Sequence, residues 1–308
     1  MAIVLAATGA GCRVFGESGE MASELPGRTV SFITRDPDGN CLAIVDEKQI
    51  WKRDLGGMWG FVAQAEISLQ SLLSSGGAVF AGGLNEAVVL RVSSDGDVER
   101  LGGFDETRGR DEWFAGGPPL GVRSLAATAD GAATLAAVHV GGIPRSIDGG
   151  ASWTPTIPVM FDVHEVSAHS SLPGVAASGF AAAACAVGLC LSQDAGATWK
   201  LLPEGLDGTT SLAVAVLADE VLFSIQDGPF ASRSQIWRWR NGAERVELVC
   251  DGLPEWLEGK VDTGHIAAGA GRAAVVDGGG NLWLSSVGST GWQRIAKDLG
   301  YVFGITIL

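Results

Sequence analysis

The sequence predicts an all-β fold: a seven-bladed β-propeller of four-stranded antiparallel blades in one domain, residues 1–308. Three observations on the 308-residue chain point there. Glycine supplies 45 residues and proline only 11, with no G-X-Y period, so the chain is turn-rich and not collagen-like. Hydrophobic residues make up 46%, too many for disorder, and they fall in short runs punctuated by Gly, Asp and Asn. A strand pattern then recurs seven times, its first strands centred on Ser31, Ser71, Ser124, Glu165, Ser211, His265 and Gly304. The steps are 40, 53, 41, 46, 54 and 39 residues, against 44 for a seventh of the chain. That is the length of one four-stranded blade.

The elements follow in order. Residues 3–7 and 12–16 read as strands but have no inner strand before them. The second unit has a third strand at 49–53, and the third unit has strands at 78–82, 88–93 and 98–101. The fourth unit reads 122–127, 134–140, 142–146 and 152–156; the fifth reads 163–168, 174–178, 188–192 and 198–202. The sixth continues at 221–225, 234–240 and 245–249; the seventh at 272–276, 281–286 and 291–295. The two long steps read as loop insertions at 105–119, and at 228–234 with 250–259, the alternative being an eighth blade. Residues 301–308 form a lone inner-type strand. Placed in the first blade, it closes the ring and removes two free sheet edges. Trp237 and Trp239 alternate with Arg238 and Arg240, as on a strand with one buried face, and Glu17, Glu20 and Glu24 read as a solvated turn.

Composition bounds function. Thirty-five acids against 21 Lys plus Arg give a net charge of -14. With no basic block, neither nucleic acid nor an anionic membrane is expected as a partner. No apolar stretch reaches the length of a membrane helix, and the alanine run at 181–184 is far too short. The opening MAIVLAATGAGC lacks a basic flank and reads as a strand and not a signal peptide. Cys12, Cys41, Cys185, Cys190 and Cys250 form no CxxC pair. Isolated thiols suit a reducing compartment, so a cytoplasmic location is expected, and a monomer.

Two octets match closely: Ser146 to Trp153 and Ser192 to Trp199, both S-x-D-x-G-x-[ST]-W. Ser146, Asp148, Gly150 and Trp153 correspond to Ser192, Asp194, Gly196 and Trp199. The pattern suits a β-hairpin: the aspartate accepts turn amides, the glycine takes positive φ, and the tryptophan packs between sheets. The octets resemble the Asp-box, or BNR repeat, of sialidases, sortilin-like receptors and related propellers. This resemblance implies a propeller whose aspartates lie peripherally, away from the axis. It does not extend to the sialidase machinery. The single tyrosine, Tyr301, precedes apolar Val302 and Phe303 and reads as strand packing, and only Arg123 falls on an inner strand where an arginine triad would be needed.

Candidate site residues cluster at the axial mouth. Arg123, His139, Asp162, His164, Glu165 and His265 fall near the starts of inner strands or the loops beside them. Glu165 and His265 break a level otherwise made of Ser and Gly, and can pair across the channel. His139, Asp162, His164 and His265 form a speculative divalent-metal set, although no compact ligand motif joins them. His169 reads as a loop residue. No nucleophile elbow, P-loop, Rossmann fingerprint, HExxH or EF-hand appears. Two readings follow. One is a binding scaffold without a cofactor, holding a protein or small ligand at the mouth. The other is a metal-assisted hydrolase or lyase.

Overall fold

In a computed structural model of the chain, residues 2–114, 120–128, 131–168, 179–202, 209–217, 220–228, 230–286 and 291–308 are described. The seven blades form in chain order. Blade 1 holds β1 (Val4–Thr8), β2 (Gly11–Gly16) and β3 (Gly19–Glu24). Blade 2 holds β4 (Val30–Arg35), β5 (Cys41–Val45), β6 (Gln49–Arg53) and β7 (Trp59–Gln64). Blade 3 holds β8 (Leu69–Ser75), β9 (Ala78–Gly83), β10 (Val89–Val92) and β11 (Val98–Arg100). Blade 4 holds β12 (Val122–Ala127), β13 (Thr134–Val138), β14 (Pro144–Ser146) and β15 (Thr154–Pro155). Blade 5 holds β16 (Val163–Ala168), β17 (Ala181–Cys185), β18 (Gly188–Ser192) and β19 (Lys200–Leu201). Blade 6 holds β20 (Val214–Val216), β21 (Glu220–Ile225), β22 (Arg233–Arg240) and β23 (Val246–Leu248), and β24 (Leu257–Glu258) adds to β22. Blade 7 holds β25 (Ile266–Gly269), β26 (Arg272–Val276), β27 (Leu282–Ser285) and β28 (Trp292–Ala296). The last strand, β29 (Val302–Ile307), pairs antiparallel with β1 and becomes the innermost strand of blade 1. The ring closes as the sequence predicts, with seven blades and not eight.

Each blade is too thin to have a core of its own, so burial happens between blades. The buried apolar residues fall into seven clusters, one at each junction of adjacent blades. Second strands are covered on both faces and therefore read as unbroken apolar runs: Cys41–Val45, Thr134–Val138 and Ala181–Cys185 are buried throughout. The alanine run lies in β17, at the centre of a blade. Outer strands have exposed faces and carry charge, as Val98–Arg100 does. The insertion after β11 contains a short helix, α1 (Gly102–Asp105), whose Phe104 meets Trp153 edge-on at 5.1 Å and so fills the junction of blades 3 and 4. Among the described residues, no helix is long and apolar enough to cross a membrane.

The two octets fold alike. Ser146 Oγ accepts the Gly150 N–H at 2.9 Å, and Ser192 Oγ accepts the Gly196 N–H at 2.9 Å. Asp148 Oδ1 accepts the Ser152 N–H, and Asp194 Oδ1 the Thr198 N–H. Hydrogen bonds from the Ser152 hydroxyl, the Ser152 N–H and the Ser146 hydroxyl hold the Asp148 carboxyl down at about 2. Gly196 has φ +77, and a Cβ there would strike Leu135 of blade 4. Gly150, φ +92, would likewise strike Leu101 of blade 3. Each octet is thus a clamp on the preceding blade. The tryptophans differ: Trp153 Nε1 donates to Gly150 O within its turn, whereas Trp199 Nε1 donates to Thr156 Oγ1 of blade 4.

Some expectations shift. β20 starts at Val214, past the expected Ser211, because residues 210–213 first bridge toward Gln226 and Ser224. The second strand of blade 5 is β17, while the expected strand at 174–178 and His169 lie outside the described residues. Glu17, Glu20 and Glu24 are not merely solvated: Glu24 accepts Arg53 and the Trp59 indole, Glu20 pairs with Arg13, and Glu17 with Arg272.

Candidate functional site at the axial mouth

The loops that lead into the innermost strands share one face of the ring with the loops between second and third strands. This is the mouth face. Several of its polar side chains are aimed by bulges. Val122 pairs with Val138 and Ser124 with Ala137, leaving Arg123 as an extra residue in β12. His164 is the extra residue in β16 in the same way, as are Gln70 in β8 and Ser31 in β4. A bulge re-aims its side chain, and two of these four are the Arg and His singled out from the sequence. The bulges also correct the inner level. Phe32, and not Ser31, stands level with Ser71, Ser124 and Glu165.

Arg123 Nη1 donates to His164 Nδ1 at 2.7 Å. A guanidinium has no acceptor, so Nδ1 must be the bare nitrogen and Nε2 carries the hydrogen. Nε2 lies 3.9 Å from Asp162 Oδ2, and His139 Nε2 lies 3.6 Å from Asp162 Oδ1. Asp162 caps the turn Val159–Phe161 at φ 46, outside β16. On the other flank, Arg123 Nη2 is 3.8 Å from Asp262 Oδ1, and Lys260 Nζ is 3.0 Å from Asp262 Oδ2. A chain of polar contacts thus runs from blade 4 to blade 7. Burial first, and then the Arg123 charge, push His164 down to about 4, so it is neutral at neutral pH.

His265 stands apart from this chain. Its Nδ1 accepts the Asp262 N–H at 3.1 Å, so its Nε2 donates to Val302 O, at 2.8 Å. Both ring nitrogens are consumed by backbone, and burial depresses its pKa. Its partner is not Glu165, as the sequence reading allowed. Glu165 turns to the axis: Oε2 accepts the Val214 N–H at 2.9 Å and Oε1 the Gly264 N–H at 3.1 Å. Its carboxyl group therefore ties blades 5, 6 and 7 together. Thr263 Oγ1 reinforces the same place by donating to His164 O at 3.2 Å. Among the described residues, no group of three or more His, Cys, Asp or Glu side chains is placed to hold a metal ion. The speculative set of His139, Asp162, His164 and His265 is divided, because His265 faces backbone.

Thr263 and Lys260 carried no signal in the sequence. Tyr301 is exposed and stacks edge-on with Phe303 at 4.9 Å, whereas packing at the strand start was expected. Phe114, Met160, Val187 and Phe230 are also exposed, and all lie on mouth-face loops of blades 4 to 6. On the far side of Glu165, the channel continues as a cavity of about 490 Å³ reaching the opposite face.

No protein-family model matches the chain, and no curated protein sequence matches it. Solved structures do match it in fold. The GH74 xyloglucanase from Xanthomonas campestris superposes with a TM-score of 0.60 at 16% identity, over 96% of this chain and 46% of that one. The chain thus spans about half of that enzyme's length. The computationally designed Ika8 protein superposes with a TM-score of 0.57 at 11% identity, over 97% of this chain and 84% of that one. These likenesses define the chain as a β-propeller and say nothing of its chemistry.

Proposed function

We propose that this is a non-sialidase propeller of Asp-box type, a single cytoplasmic, monomeric domain that binds a protein or small ligand at its axial mouth. One observation carries the reading. Phe114, Met160, Val187, Phe230 and Tyr301 are all exposed on loops of the mouth face, the face that also carries the polar chain of Arg123, His164, Asp162 and Asp262. Exposed apolar side chains rimming a positioned polar group mark a recognition surface. The net charge of -14 favours a basic or cationic partner. The alternative, a metal-assisted hydrolase or lyase, would need His139, Asp162 and His164 to close on an ion.

Capture from a lysate of the source cells tests the reading. The wild-type chain is compared with Met160→Ser/Phe230→Ser and with a far-face control, Leu55→Ser/Met58→Ser. A protein or small molecule lost only with the mouth variant supports it; equal capture by all three overturns it. Zinc titration by calorimetry tests the alternative: a stoichiometric site lost in His164→Ala would favour the enzyme.

A further inference from the structure

The cavity beyond Glu165 belongs to a different face from the mouth cluster, and its lining has a chemical bias. Four inner-edge N–H groups are already occupied by side chains of the preceding blades. Ser124 Oγ accepts Val166 N–H, and Ser167 Oγ accepts Val216 N–H. Glu165 accepts Val214 N–H and Gly264 N–H. In an extended strand, the N–H and C=O of one residue point to the same edge. The carbonyls of Val166, Val214 and Val216 therefore share the edge whose donors have been used. The other polar groups lining the cavity include the hydroxyls of Ser74, Ser75, Thr128 and Thr306 and, at its mouth-side end, the Glu165 carboxyl, while Arg35 and Asp36 stand together at the opposite end, where β4 runs out.

Among the described residues, Glu165 forms no ion pair; Arg123 and Asp262, paired with each other, act on it with opposite sign. An anion buried without a counter-charge is costly, and a cation from solution removes that cost. The cavity, about 490 Å³, suits a small organic molecule and not a bare ion, which would need tighter oxygen packing.

We infer that this channel is a binding site for a small organic ammonium ion, whose N–H groups meet the Glu165 carboxylate and the surrounding oxygens. Burial pushes the Glu165 carboxyl up to about 8, so it carries a proton at neutral pH. Binding then ionises Glu165 and expels one proton to solvent for each ammonium taken up at pH 7. The inference is independent of the mouth reading, since the two sites open on opposite faces.

Calorimetry with n-butylammonium tests it, in two buffers of different ionisation enthalpy, with 1-pentanol as the neutral match. The ammonium should bind at least about tenfold more tightly than the alcohol. Proton release should approach one per ammonium at pH 7 and vanish above pH 9. Glu165→Gln should lose both the preference and the release. Because that variant also disturbs two backbone bonds, Ala268→Phe is added to fill the channel without touching Glu165. It should abolish ammonium binding while circular dichroism stays unchanged. Equal affinity for the alcohol, no proton release, or full binding by the channel-filled variant would overturn the inference.

Discussion

Arg123 of blade 4 donates to Nδ1 of His164 on blade 5 at 2.7 Å, so a permanent cation fixes the tautomer of a buried imidazole in the next blade. Both are bulge residues, and neither would face the mouth in a regular strand.

Replacing that cation should be visible at the imidazole. Arg123→Gln removes a repulsive charge but leaves the burial that dominates the depression. The His164 pKa should rise from about 4 by roughly one unit, read by proton–nitrogen correlation spectra of the ring. An unchanged pKa would mean that Arg123 does not act on it. His164 also makes stability depend on pH. Its folded pKa lies below the unfolded value, so its contribution is complete above about 6.5 and is lost as pH falls toward 4.

Glu165 works in the opposite sense. Its folded pKa is raised, so the stability it contributes is complete below about 4.5 and is lost as pH rises through 8. Urea midpoints of the wild-type protein should fall between pH 5 and 8.5. The effect is of order a few kcal/mol, and it should flatten in Glu165→Gln. A Gln variant with the same slope would assign the loss to another group.

The octet glycines separate two causes of glycine dependence. At Gly196, φ is +77 and a Cβ meets Leu135, so Gly196→Ala should cost about 2–4 kcal/mol. At Gly149, φ is +71 but nothing lies within 4 Å, so Gly149→Ala should cost only about 1 kcal/mol. Equal midpoints in chemical denaturation would show that the clamp on blade 4 adds nothing.

Ring closure depends on β29. Ile307 is fully buried where blades 7 and 1 meet, so Ile307→Ala should cost about 2–5 kcal/mol. Removing residues 301–308 should leave the β1 edge open and give aggregation or loss of cooperative unfolding in scanning calorimetry. A truncated chain that melts cooperatively at the wild-type temperature would contradict this closure.

Much of this was legible in the sequence because blades repeat. Strands such as β12, β16, β18 and β26 fall where the period-2 and apolar runs place them. The start of blade 6 was less legible, since residues 210–213 look like a strand but spend their hydrogen bonds on a bridge to Gln226 and on the Ser224 hydroxyl. The mouth residues were legible as types, since Arg, His, Asp and Glu are conspicuous among Ser, Ala and Gly. Their partners were not. A one-residue bulge is invisible in periodicity, yet it sends His164 toward the mouth and leaves Glu165 for the channel.

By itself, the sequence determined the seven-fold repeat, the closure by residues 301–308 and the turn chemistry of the octets. Each of these is set by local pattern and by the need to bury both faces of a thin sheet. Only the tertiary structure decided that His265 is spent on Asp262 N–H and Val302 O, while Glu165 is tied to Val214 and Gly264. Those partners lie 37, 49 and 99 residues away or across a turn, and they meet because the ring brings inner strands edge to edge at the axis.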